Sequence, residues 1–337
     1  MTAEAGRQKG APPPRVPGET SGASATAPLS GATRRGRNRH PRRRLPVLPL
    51  LVALAIVAGT ALLLYPAAAG WFSSVEQSRE IDELTRGIND LGAETLRERL
   101  AEAREYNQAL SGGGAAVAAN ERLPLADAPG PDGEQQYLSM LRGDSEGLMA
   151  RIRIPSIELD LPLYHGTSSA VLERGIGHLE GTALPVGGPS THSVVTGHRG
   201  LATSQLFTDL DEVMVDDPFT IEVFGEVLAY RVIETTVVEP EDTESLLVQP
   251  GEDLVTLVTC TPLGINSHRI LVTGERVTPT PQSDIDAAGE NPDVPGFPWW
   301  MVIAGGVVMG AGTYVWISGR PPQDVRLRIA QEPRASV

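Results

Sequence analysis

Cys260 is the only cysteine in 337 residues, and it stands in Thr256-Leu257-Val258-Thr259-Cys260-Thr261-Pro262. A cysteine attacks as its thiolate, so a reactive one needs a nearby base or a lowered pKa. Acyl transfer also needs a group that stabilises the oxyanion. Five histidines lie in the middle segment with it: His165, His178, His192, His198 and His268. His198 is the best placed. It follows Ser193-Val194-Val195-Thr196-Gly197 and precedes Arg199-Gly200, which reads as a strand end with glycines that permit close backbone approach. Arg269 opens the run Ile270-Leu271-Val272-Thr273. Side chains alternate along a strand, so Arg269, Leu271 and Thr273 share a face and His268 points the other way. The planar donors of a guanidinium suit a carbonyl or a developing oxyanion. Each residue also has a plainer reading: a buried core thiol, a surface-loop histidine, an arginine paired with surface carboxylates. Thr259, Thr261 and Pro262 flank the thiol and are candidate substrate contacts. No metal and no cofactor are expected.

These side chains need a rigid frame, and the sequence around them reads as strand after strand. Ala150 to Ile154 alternates cleanly, and Leu159–Tyr164, Ser193–Thr196, Phe219–Phe224, Leu228–Val238, Leu254–Thr259 and Arg269–Thr273 follow. β-branched and apolar residues favour these strands, and Gly, Pro, Asn and Asp separate them. Short helical pieces fit Val171–Arg174 and Ser204–Asp209. Many short strands with little helix predict a mainly β fold, a closed or nearly closed barrel over residues 149–277.

The charge is uneven. Residues 1–44 carry net +8 and residues 320–337 net +2, so the total of −14 leaves net −24 on residues 45–319. That acidic middle argues against nucleic acid as a partner. Leu45–Tyr65 and Trp299–Ile317 are 21 and 19 residues without a charge, long enough as helices to cross about 30 Å of hydrocarbon. Trp299, Trp300, Tyr314 and Trp316 flank the second run as an interfacial belt would. Basic flanks mark the cytoplasmic side, which predicts two spans in the plasma membrane, both termini inside and the middle outside. Pro66-Ala67-Ala68-Ala69-Gly70 also resembles a small-residue cleavage site, so the first run is read as an anchor or a signal. A lone thiol in an exported domain has no intrachain disulfide partner and is open to oxidation, which favours a reactive role.

In order, the expected organisation is a disordered basic tail over 1–44, a transmembrane helix or signal anchor over 45–66 and a helical segment over 73–110, either a membrane-proximal stalk or a helix packed on the catalytic domain. A loop covers 111–148, the barrel 149–277, a linker 278–298, a second span 299–317 and a cytoplasmic tail 318–337. Ile81, Leu84, Ile88 and Leu91, then Leu96, Leu100 and Ala103, carry the helical period, with Gly87 and Gly92 as weak points.

Thr256-Leu257-Val258-Thr259-Cys260 resembles the signature of the sortases. Thr196-Gly197-His198-Arg199-Gly200-Leu201 resembles the histidine motif of their pilin-polymerising, class C branch, and Asn266-Ser267-His268-Arg269-Ile270-Leu271-Val272 its arginine motif. The resemblance implies a closed eight-stranded barrel, with Cys260 as nucleophile, His198 as general acid/base and Arg269 as oxyanion stabiliser. It further implies a cysteine transpeptidase that cleaves an LPXTG-type sorting signal through a thioester and passes it to a pilin lysine. Its partners would be LPXTG-bearing surface proteins or pilin subunits of a Gram-positive envelope. Transfer to a peptidoglycan precursor is the alternative acceptor. Composition rich in Ala, Gly and Arg points to an actinobacterial source. Class C enzymes often carry a lid with an Asp-Pro-aromatic motif, and 111–148 holds none; Asp127-Ala128-Pro129 is its nearest stretch. Two remote readings are an L,D-transpeptidase, from Tyr164-His165-Gly166-Thr167, and a non-enzymatic membrane scaffold.

Overall fold

A computed structural model describes residues 46–113, 131–144, 147–290 and 296–320. The tail expected over 1–44, nearly all of 318–337 and half of the 111–148 loop lie outside the described residues.

Eight strands close into one barrel: β1 (Leu148–Ile154), β2 (Leu159–His165), β3 (Ile176–His178), β4 (Thr191–Thr196), β5 (Pro218–Val223), β6 (Glu226–Val238), β7 (Asp253–Thr261) and β8 (His268–Arg276), in the order β1-β2-β3-β4-β7-β8-β6-β5. Closure leaves no open sheet edge. Alternation sends one set of side chains inward, where Ile152, Val195, Ile221, Leu257, Ile270 and Val272 are buried in the main core. The opposite faces of β4, β7 and β8 bury a smaller cluster, Leu179, Val194, Val258 and Leu271, with Val238 and Leu246 packed against it.

β3 is absent from the sequence reading. It has three residues, Ile-Gly-His, too few to display a period. The pairing of β2 with β3 is parallel and requires a crossover, supplied by the short helix Ser169–Arg174, whose N-cap Ser168 accepts from the Val171 amide. The expected helical piece at Ser204–Asp209 is instead mostly turn, with a 3₁₀ turn at Leu210–Glu212.

The N-terminal half differs most from expectation. The apolar run and the first part of the stalk, as far as Asn89, are one helix, α1 (Val47–Asn89), with Pro66 inside it. Proline removes one backbone donor, but it does not end the helix because the small and apolar residues on either side continue it. The break falls at Asp90–Gly92, before α2 (Ala93–Gly113). Ile81 and Leu84 of α1 and Leu100 and Ala103 of α2 are buried against the barrel, whereas Leu91 lies past the end of α1 and is exposed. Of the two readings of residues 73–110, the structure therefore has the helices packed on the barrel wall. A nine-residue helix, α3 (Pro131–Ser139), brings Tyr137 into the core. The second apolar run forms one helix, Trp299–Ser318, which packs against α1.

Candidate active site

Cys260 lies within β7, one residue from its end, rather than just beyond the strand. Its register partner on β8 is Arg269. Directly opposed residues on adjacent strands present side chains to the same face, so thiol and guanidinium share one face of the sheet. Val258 and Leu271 precede and follow them on that face and form an apolar floor with Val194. Cys260 and Arg269 are both half-buried. Arg269 Nη1 donates to the carbonyls of Asn266 and His268, each at 3.0 Å. Those bonds hold the head of the side chain at the rim of the face.

His198 arrives on the neighbouring strand. β4 runs parallel to β7 with Thr196 beside Val258. The Gly197 amide donates to the Val258 carbonyl at 3.0 Å, and the Gly197 carbonyl accepts from Thr259 Oγ1 at 2.8 Å. His198 thus leaves the sheet two residues along from the level of Val258 and is half-buried. Gly197 has no room for a side chain: a Cβ there would lie 2.6 Å from the Phe207 ring. Phe207 is fully buried, and its amide donates to the His198 carbonyl at 3.0 Å.

The other four histidines are placed differently. His178 is buried, with Nδ1 against Tyr137 Oη at 3.0 Å and Nε2 against the Ala183 carbonyl at 2.8 Å; burial pushes its pKa down to about 4. His192 is buried between Thr256 Oγ1 at 2.7 Å and the Leu247 carbonyl at 3.0 Å, and burial lowers its pKa. His165, the residue behind the L,D-transpeptidase reading, is wedged between the Gly147 and Met140 carbonyls, and burial lowers its pKa too. These three hold structure together. His268 pairs with Thr261, is exposed, and lies 2.8 Å from Ser267 Oγ. Alternation directs it away from the face of Arg269.

Thr259 does not line the cleft as expected. Its side chain is fully buried and its hydroxyl is committed to the Gly197 carbonyl, so it ties β7 to the histidine strand. Thr261 and Pro262 are at the surface beside the thiol, Thr261 half-buried and Pro262 exposed. The Pro262 carbonyl accepts from the amides of Ile265 and Asn266, which closes the turn into β8.

One residue escaped the sequence reading. Arg199 Nη1 donates to Thr261 Oγ1 at 3.0 Å, its Nε donates to the Thr208 carbonyl at 3.0 Å, and it forms an ion pair with Asp211. It joins the residue after His198 to the residue after Cys260. Leu263 completes the join, since its Cδ2 sits 2.4 Å from where a Gly200 Cβ would be, and Gly200 has φ of +73°. Arg199 stands next to the candidate histidine in the sequence, but only the partner 62 positions away reveals its role.

The fold and these motifs agree with known proteins. Residues 152–277 match the sortase domain family. Sortase D of Bacillus subtilis is 29% identical over 140 residues, which is 40% of this chain and 66% of that protein, just under two thirds of its length. The structure of sortase C1 from Streptococcus agalactiae superposes with a TM-score of 0.56 at 40% identity, over 60% of this chain and 100% of that one. That of Streptococcus pneumoniae sortase C gives 0.52 at 39% identity, over 60% and 98%. With a closed eight-stranded barrel, a single thiol on β7 and matches of this extent, the chain belongs to the sortase family, whose members are cysteine transpeptidases.

Proposed function

We propose that this protein is a membrane-anchored, class C-type sortase that joins pilin subunits. Cys260 attacks the Thr–Gly carbonyl of an LPXTG-type sorting signal and forms the S–C bond. His198 protonates the departing glycine amine as the C–N bond breaks, leaving a thioester. Arg269 stabilises the oxyanion in both tetrahedral intermediates. A pilin lysine, deprotonated by His198, then attacks the thioester, restores the thiolate and leaves an isopeptide bond.

The observation that carries this reading is the pairing of Cys260 with Arg269 on one face, with the strand of His198 bonded alongside. The acceptor is inferred from similarity to class C enzymes, including the Streptococcus pneumoniae sortase C structure, which bears on pilin substrate specificity. α1 and the helix Trp299–Ser318 are long and apolar enough to cross a membrane. With the basic flanks they support a two-span topology and an external barrel.

The full chain in lipid nanodiscs, given a lysine-bearing pilin with a sorting signal, is expected to yield a covalent ladder. Transfer only to short wall-peptide amines would replace pilus assembly with wall anchoring. Cys260→Ala is expected to abolish all transfer; covalent processing that survives it would sink the enzyme reading altogether. His198→Ala and Arg269→Ala are each expected to slow turnover at least about tenfold, as acid/base and oxyanion groups do. A near-normal rate in either removes that residue from the scheme.

A further inference from the structure

α1 does not stop at the end of its apolar run. Trp71 and Phe72 pack against Trp300 of the second apolar helix, and Trp71 Nε1 donates to the Gly296 carbonyl at 2.9 Å. Clustered tryptophans of this kind mark a membrane–water interface. Only six residues farther on, buried Gln77 donates to the Arg174 carbonyl at 2.7 Å and to Ser204 Oγ at 3.2 Å. At 1.5 Å per residue that is ~9 Å beyond the tryptophan level. Ser204 belongs to the segment that leaves β4 carrying His198. Leu84, Thr85, Ile88 and Asn89 of α1 line a cavity with the β5–β6 turn, beginning ~10 Å farther along the helix. The parts of the barrel held nearest the apolar run are therefore Arg174, at the end of the short helix before β3, and the histidine segment.

Charge is divided around this face: Glu239, Glu241, Asp242 and Glu244 follow Val238, the register partner of Arg269 on β6, whereas the two segments beside the thiol lack carboxylates. Residues 45–319 sum to net −24, yet Thr191–Thr208 and Thr261–Gly274 contain no Asp or Glu. These are the two segments that meet where Leu263 covers Gly200. In the turn after Cys260, Leu263 is 52% exposed and Ile265 is 72% exposed. A segment free of carboxylates, bearing Arg269 and two exposed aliphatic side chains, is suited to an anionic lipid surface, which repels acidic groups and accepts apolar ones.

Resting on the reading of α1 and Trp299–Ser318 as membrane spans, we infer that the mouth of the Cys260 face is turned toward the bilayer, with Leu263 and Ile265 at headgroup level. The enzyme then receives its peptide at the lipid surface, and the barrel side near Asn89 faces away. The geometry follows from one continuous helix that is both anchor and barrel wall.

The test uses the full chain in vesicles of phosphatidylglycerol and phosphatidylcholine, in a Cys260→Ser background. Single cysteines are placed by Phe72→Cys, Leu263→Cys, Ile265→Cys and Asp90→Cys, labelled with a fluorophore, and exposed to lipids carrying a headgroup nitroxide. Asp90 lies ~27 Å along α1 from Phe72. Quenching several-fold stronger at Leu263 and Ile265 than at Asp90 is expected. If Phe72 is quenched while Leu263 and Ile265 match Asp90, the orientation is wrong. If Phe72 itself is unquenched, the membrane reading fails and takes the orientation with it. Transpeptidation by the unlabelled protein is a separate measurement, so loss of activity and loss of orientation are told apart.

Discussion

Arg199 spends its guanidinium on three partners, the Thr261 hydroxyl, the Thr208 carbonyl and the Asp211 carboxylate. It touches no reacting atom in the proposed scheme. It joins the chain just past His198 to the chain just past Cys260, so its expected effect is on their spacing. Misplacing reacting groups by about 1 Å can cost on the order of 100-fold in rate. Arg199→Gln is therefore expected to lower kcat at least about tenfold with little change in KM. Thr261→Val, which removes the acceptor, should show the same split, whereas Thr261→Ser should retain activity. A loss confined to KM in Arg199→Gln and Thr261→Val would make these residues substrate contacts instead. At this scale Cys260, His198 and Arg269 were legible in the sequence as candidates, because reactive side-chain types at strand ends are local features. Thr259 and Arg199 were misjudged or missed because a side chain's role depends on what faces it across the sheet.

The elements that hold the site can be probed one at a time. Ile81 is buried where α1 lies on the barrel. Truncating a buried Ile to Ala costs about 2–5 kcal/mol, so Ile81→Ala should lower the denaturation midpoint markedly; an unchanged midpoint would mean that α1 does not pack there. β3 carries the buried His178. The folded chain holds it neutral down to about pH 4, against an ordinary value of 6.5. Between these values the unfolded chain binds a proton that the folded chain does not. The stabilisation is thus complete above pH 6.5 and is lost as pH falls toward 4, an effect of about 3 kcal/mol. Glu180, Glu222 and Asp253 have pKa values raised by burial and act in the opposite sense. Comparison with His178→Gln isolates the histidine: the variant should be less stable at pH 7, and its stability should fall less steeply on acidification. Parallel slopes would show that His178 does not titrate this way. Of the elements, the long alternating strands and the α1 and α2 stripes were legible from period alone. β3 was too short to carry a period, and the continuity of α1 through Pro66 was hidden by a residue that usually ends helices.

At the scale of the whole molecule, basic ends flank apolar runs on either side of the barrel. The two-span topology predicts that a membrane-impermeant thiol reagent labels Cys260 on intact cells. The same reagent should not reach a cysteine introduced by Ser336→Cys in a Cys260→Ser background. Labelling at position 336 would place the C-terminus outside and exclude paired spans.

The sequence by itself determined the apolar runs, the charge of the ends, the strand-rich middle and the three reactive residue types. All of these are written in composition and in periods of two and 3.6 residues, which need no distant partner. Only the tertiary structure decided that Cys260 faces Arg269, that Thr259 turns inward, that Arg199 ties two distant turns together, and that three of the five candidate histidines are buried struts. Register and burial arise when segments far apart in the chain are brought to one surface. A barrel sets them through pairings that no local stretch contains.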